Sequence, residues 1–244
     1  MKIERPIIAL DFPDREACRN FLKKFPEEEK LFVKIGMELY YSEGQDMVKE
    51  IMDLGHDVFL DLKCHDIPHT VESAMRVLGK LGVSLTTLHA SGGSEMMKAA
   101  KNGLLEGAQS NGKKAPKLLA ITQLTSTSPE MAKKEQRIAC DLAESVKSYA
   151  ELAQQSGMDG VVCSAWEARM IADATNDDFL RVTPGIRLKG GDIGDQKRVM
   201  TPDEAEMNGS SAIVVGRAIT QAQNPVEAYR LAVSYTHLTL PTTS

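Results

Sequence analysis

No stretch of the sequence approaches the ~18 consecutive apolar residues that a membrane-spanning helix needs. The opening Met1-Lys2-Ile3-Glu4-Arg5-Pro6 is not followed by an apolar run of signal length, so the chain is expected to work in the cytoplasm. Basic charge is not in excess: 29 Lys and Arg stand against 34 Asp and Glu, a net charge of −5. That balance excludes the broad basic footprint of a nucleic-acid or anionic-membrane binder. Cysteine is scarce. The four, at positions 18, 64, 140 and 163, form no Cys-x-x-Cys pair, which argues against a zinc knuckle or a disulfide framework and fits a reducing compartment. The five histidines show no His-x-x-x-His spacing, and no metal site is expected. No Gly-x-Gly-x-x-Gly follows the first apolar run, so a dinucleotide-binding Rossmann fold loses its best support. No low-complexity linker interrupts the chain, and residues 1–233 read as one domain.

What is present is ordinary globular composition, 42% hydrophobic and 26% charged. Its texture alternates. Short apolar or β-branched runs at residues 6–10, 31–35, 58–62, 85–88, 117–121, 160–163, 180–182 and 212–215 predict strands. Segments of helical spacing follow at 14–24, 42–54, 68–81, 94–106, 138–155, 165–174, 202–207 and 225–233. The alternation implies parallel strands with crossover helices, and runs apolar at nearly every position imply strands buried on both faces. Eight such units in 244 residues is the arithmetic of a (β/α)8 TIM barrel. An open doubly wound sheet is the competitor, because strand count alone does not show closure. The last eleven residues, 234–244, break the final amphipathic pattern with threonines and a proline and read as a foreign or aberrant tail.

In a barrel, reacting groups sit at the carboxyl ends of strands. Those ends carry Asp11, Lys34, Asp61, Lys63, Thr125, Arg187, Gly216 and Arg217, with Asp66 just past strand 3. Alternation along a strand places Asp61 and Lys63 on one side with Leu62 opposed. The carboxylate keeps the lysine charged. By itself, Asp-x-Lys-x-x-Asp suits a structural ion network as well as a catalytic set. Gly216-Arg217 after strand 8 stands where barrels commonly hold a phosphate, and a surface turn is the alternative. Residues 184–201, with four glycines, exceed the usual loop length of about 12–15 residues, which suggests a lid. His65, His89 and Cys64 are assigned no role, and Met96-Met97 is read as packing.

Seven segments together carry a resemblance over residues 7–232: Ala9-Leu10-Asp11, Val33-Lys34-Ile35-Gly36, Asp61-Leu62-Lys63-Cys64-His65-Asp66-Ile67-Pro68-His69-Thr70, Gln123-Leu124-Thr125-Ser126, Thr183-Pro184-Gly185-Ile186-Arg187, Asp195-Gln196-Lys197-Arg198 and Val214-Val215-Gly216-Arg217. The chain resembles the orotidine 5′-phosphate decarboxylases. The resemblance implies a cofactor-free homodimer that converts orotidine 5′-monophosphate to uridine 5′-monophosphate and CO2, with sites shared across the interface. In that pattern Lys63 would protonate C6, Asp61 would sit beside the departing carboxylate, and Asp66 would enter the neighbouring subunit's site. Asp11 and Lys34 would contact ribose, and Thr125 the pyrimidine. Gln196 would bridge base and phosphate from the lid, and Arg187, Gly216 and Arg217 would bind phosphate. Thr70 joins the substrate-binding set.

Two positions depart from the family's pattern. His69 stands where asparagine is usual, and Cys64 replaces a bulkier apolar residue; altered tuning is expected rather than lost activity. Two rival readings remain at this point. One is a magnesium-dependent sugar-phosphate decarboxylase or aldolase of the same barrel family, against which Lys34 at the end of strand 2 would repel the ion. The other is a non-catalytic phosphate-binding barrel, which has no need of the charged set on strand 3.

Overall fold

The computed structural model describes residues 2–187 and 200–236. Eight parallel strands close into a barrel in sequence order: β1 (Ile7–Ala9), β2 (Phe32–Ile35), β3 (Asp57–Cys64), β4 (Leu85–His89), β5 (Lys117–Ile121), β6 (Gly160–Val162), β7 (Leu180–Thr183) and β8 (Ala212–Val215). Ile7 pairs with Phe32 on one side and Val214 on the other, which seals the ring and removes the open-sheet alternative. Around it lie α1 (Arg15–Leu22), α2 (Met37–Asp53), α3 (Pro68–Leu81), α4 (Gly93–Ser110), α5 (Pro129–Lys134), α6 (Leu142–Gln155), α7 (Ala168–Ala174), α8 (Pro202–Met207), α9 (Arg217–Thr220) and α10 (Pro225–Thr236).

The period-2 alternation of each strand divides the core in two. Ile7, Ala9, Phe32, Phe59, Leu85, Leu119, Leu180, Val182, Ala212 and Val214 fill the barrel interior. Their outward neighbours, among them Ile8, Val33, Val58, Leu60, Leu118, Val161 and Val215, pack against the helices. Both sets are buried, which is why the strand runs are apolar throughout. The same parity, continued past the interior, aims the next polar residues into the barrel mouth.

Two helices that flank that mouth are pressed together to backbone contact. A Cβ at Gly103 or Gly107 of α4 would come within 2.1 Å of Glu72 O or 2.0 Å of Arg76 O on α3. Side chains there would force the helices apart, so the glycines fix how α3, opened by Pro68, leaves the rim beside β3.

Several boundaries differ from the sequence expectation. Helix α2 begins at Met37, straight after Gly36 and with no side-chain cap to mark it, and is broken at Gly44 (φ 69°). Helix α6 begins at Leu142, not 138. Arg137 takes a left-handed φ of 61°, and Ile138 N donates to Ala132 O, tying that segment back to the unforeseen α5. Helix α7 starts at Ala168, and α9 was not anticipated. Helix α10 runs to Thr236, so residues 234–236 continue a helix expected to end at 233.

Candidate active site

The carboxyl-terminal mouth of the barrel opens into a cavity of about 650 Å³. Asp11, Lys34, Asp61, Lys63, Thr125, Arg187, Gly216 and Arg217 all line it. Strand parity accounts for three of them. Ala9 leads to Asp11, Phe32 to Lys34 and Phe59 to Asp61, each two residues on and facing inward.

Lys63 arrives differently. Between Leu60 and Cys64 the β3–β4 pairing shifts register: Leu60 opposes Thr86 and Cys64 opposes Leu88. Four residues of β3 therefore span two of β4. Within this bulge Lys63 holds φ at +53°, in the left-handed region that costs a side-chain-bearing residue energy. Strain of this kind gathers at functional sites. Asp61 and Lys63 do meet, Nζ to Oδ2 at 2.7 Å, but a bulge rather than plain alternation brings them together.

The pair extends into an alternating row. Lys34 Nζ lies 3.7 Å from Asp61 Oδ2 and 3.3 Å from Asp11 Oδ1. Asp61 is the most enclosed of the four, its side chain 9% exposed against 26% for Lys63 and 63% for Asp11. Burying a carboxylate this deeply requires charged and hydrogen-bonding partners, and it has Lys63, Lys34 and the Thr87 hydroxyl, which donates to Oδ1 at 2.8 Å. Two acids and two bases cancel, so the row gives the mouth no net charge and presents ammonium groups at fixed points. Gly36 keeps room for it, since a Cβ there would come 3.2 Å from Lys34 Nζ.

The opposite wall is built from β7, β8 and β5. Pro184, Gly185 and Arg187 follow β7, and Arg187 N donates to Met200 O at 3.0 Å. Gly216 follows β8 and Arg217 opens α9. Two guanidinium-bearing residues thus line the cavity, a residue type suited to phosphate, and Arg187 Nη1 donates to Ile186 O at 3.1 Å. Gln123, which sequence reasoning passed over in favour of Thr125, also lines the cavity. It is 9% exposed and donates from Nε2 to Ser145 Oγ at 3.3 Å. Its signal was its place in the Gln123-Leu124-Thr125-Ser126 segment. Phe12, Thr220 and Gln221, for which the sequence held no signal, complete the rim.

Asp66 and Thr70 do not line this cavity. They belong to an exposed run, residues 65–70, beside Lys63, in which Asp66 Oδ1 accepts from Ile67 N at 2.7 Å. His69 is exposed in the same run. Cys64 is part-buried, and burial pushes its thiol pKa up, away from a nucleophilic thiolate. His89 has its ring 5.7 Å from that of His65, and burial first, then proximity to His65 and Lys63, pulls its pKa down. Gln196, and with it most of the expected lid, lies outside the described residues.

Residues 4–232 match the family model described as "Orotidine 5′-phosphate decarboxylase / HUMPS family". A protein of Ligilactobacillus salivarius named orotidine 5′-phosphate decarboxylase is 69% identical over 231 residues, 95% of this chain and 97% of that protein. One of the same name from Streptococcus thermophilus is 58% identical over 229 residues, 94% of this chain and 96% of the other. The crystal structure of orotidine 5′-phosphate decarboxylase from Lactobacillus acidophilus superposes with a TM-score of 0.86 at 44% identity, covering 96% of this chain and 99% of that one. With barrel, charged row and full-length likeness in agreement, the chain belongs to the orotidine 5′-phosphate decarboxylase / HUMPS family.

Proposed function

We propose that this protein decarboxylates orotidine 5′-monophosphate to uridine 5′-monophosphate in pyrimidine biosynthesis. One observation carries the reading: the Lys63 ammonium, hydrogen-bonded to Asp61 at 2.7 Å, lines a cavity whose other wall carries Arg187 and Arg217. The reaction breaks the bond from ring C6 to the carboxylate. CO2 leaves, and the electron pair stays on C6 with no cofactor to receive it. A fixed ammonium beside that carbon stabilises the negative charge as it forms and then donates its proton to C6. Solvent returns a proton to Nζ after product leaves.

Asp61 acts on the other group. Two carboxylates about 4 Å apart repel by roughly 4 kcal/mol at an effective dielectric near 20. Departure of CO2 removes that repulsion. Binding energy from the phosphate, remote from C6, offsets it in the ground state. In this reading Arg187, Gly216 and Arg217 hold the phosphate, Asp11 and Lys34 the ribose hydroxyls, and Thr125 the pyrimidine, with Gln196 bridging base and phosphate.

We also propose a homodimer in which Asp66 and Thr70 serve the partner's site. Their absence from their own cavity and the exposure of residues 65–70 beside Lys63 support this, as does Ile67, an aliphatic side chain 66% exposed on the same run. The cytoplasm suits the four unpaired thiols. Among the described residues no helix is long and apolar enough to cross a membrane. The magnesium-dependent reading is not favoured, because the cation between Asp11 and Asp61 is the Lys34 ammonium.

The test follows orotidylate absorbance with purified protein. The expected result is loss of orotidylate with matching release of CO2 and uridylate, at a rate unchanged by a chelator. Bound nucleotide without turnover would support the non-catalytic barrel, and loss of activity with chelator would support the magnesium enzymes.

A further inference from the structure

Two threonines follow one another on β4, and both are fully buried. Thr86 faces the helices, and its hydroxyl has no hydrogen-bond partner among the described residues. Thr87 faces the barrel, and its hydroxyl has two. It accepts from Lys63 N at 3.0 Å and donates to Asp61 Oδ1 at 2.8 Å. The direction is fixed by chemistry: an ionised carboxylate only accepts and a backbone N–H only donates, so the one hydroxyl proton goes to Asp61.

These two bonds sit where the β3–β4 ladder is interrupted. The bulge leaves Lys63 N without a regular ladder partner, and Thr87 supplies one. On Asp61, Lys63 and Lys34 both approach Oδ2, whereas Oδ1 is held by Thr87. A closed ring results: Lys63 N to Thr87 Oγ1, Thr87 Oγ1 to Asp61 Oδ1, and Asp61 Oδ2 back to Lys63 Nζ. One hydroxyl therefore sets both the rotation of the carboxylate and the strained backbone from which the ammonium projects.

Resting on the decarboxylase reading above, we infer that Thr87 is a positioning residue of the reaction: it touches no substrate but fixes Lys63 and Asp61 relative to each other and to C6. The phosphate-binding wall is built from other strands, so loss of the hydroxyl disturbs the chemical step and leaves nucleotide binding nearly intact. Misplacement of a catalytic group by about 1 Å costs on the order of 100-fold in rate.

The experiment compares Thr87→Val, Thr87→Ser and, as a control on the same strand, Thr86→Val. Thr87→Val keeps the shape and removes the hydroxyl; it is expected to lower kcat by about 10- to 100-fold, with KM for orotidylate and affinity for uridylate within about threefold of the parent. Thr87→Ser is expected to recover most of kcat, and Thr86→Val to match the parent throughout. If Thr87→Val does not yield folded protein, Thr87→Ala is compared with Thr87→Ser instead. A kcat for the hydroxyl-free variant within threefold of the parent would overturn the inference, as would equal impairment of the serine variant or a loss confined to KM. A parent protein that does not consume orotidylate would instead remove the decarboxylase reading itself, which separates the two failures.

Discussion

Lys63→Ala is expected to lower kcat by about 10⁴-fold or more, because in the proposed reaction it removes both the proton donor and the charge that stabilises the carbanion, effects worth about 10²–10⁴ and 10²–10³ respectively. The fold is expected to survive. Alanine tolerates the left-handed φ of +53° no worse than lysine does, and Asp61 keeps Lys34 and the Thr87 hydroxyl as partners. Uridylate binding, proposed to rest on Arg187, Gly216 and Arg217 for the phosphate and on Asp11 and Lys34 for the ribose, should persist. Steady-state kinetics with a thermal melt of the same preparation checks this, and a kcat within tenfold of the parent would contradict it. The variant also tests the proposed sharing of sites between subunits. Asp66→Ala should be impaired as well. In a hybrid of the two, one site lacks both groups and the other retains both. Equal mixing with free exchange makes half the dimers hybrid, so about a quarter of parental activity should return. No recovery after proven exchange would place Asp66 in its own chain's site.

Arg217→Ala should act on the other end of the nucleotide. Truncating one partner of a desolvated, hydrogen-bonded charge pair costs about 2–5 kcal/mol, so kcat/KM for orotidylate should fall on the order of 10²–10³-fold. Because in the proposed reaction phosphate binding also offsets stress at the reacting carbon, some of that loss should appear in kcat. The same variant should treat orotidine, which lacks the phosphate, as the parent does. Equal loss with both substrates would show that Arg217 does not read phosphate.

The barrel was legible because its evidence is periodic. Every strand expected from an apolar run is present, and strand parity alone leads from Phe32 to Lys34 and from Phe59 to Asp61. The bulge was not legible: residues 57–64 contain no glycine or proline, and nothing local marks Lys63 as left-handed. The expectation that Asp61 and Lys63 share a side held for a reason other than the one the alternation supplied. Thr87 escaped notice because a threonine in a strand reads as ordinary β-propensity, and its role exists only through the shifted register of β3 against β4. Helix starts without a capping side-chain bond carry a weak local signal: α2 begins ahead of the expected 42, while α6 and α7 begin after the expected 138 and 165. Asp66 and Thr70 do not line their own chain's cavity, and in the proposed homodimer a second copy would use them.

The most direct measurement is a crystal structure with a uridylate carrying an anionic group at C6. Lys63 Nζ should lie about 2.6–3.2 Å from that group, with Asp61 beside both the ammonium and the C6 group and the phosphate on the side of Arg187 and Arg217. An ammonium turned away from C6, with another group or solvent at that carbon, would contradict the proposed reaction.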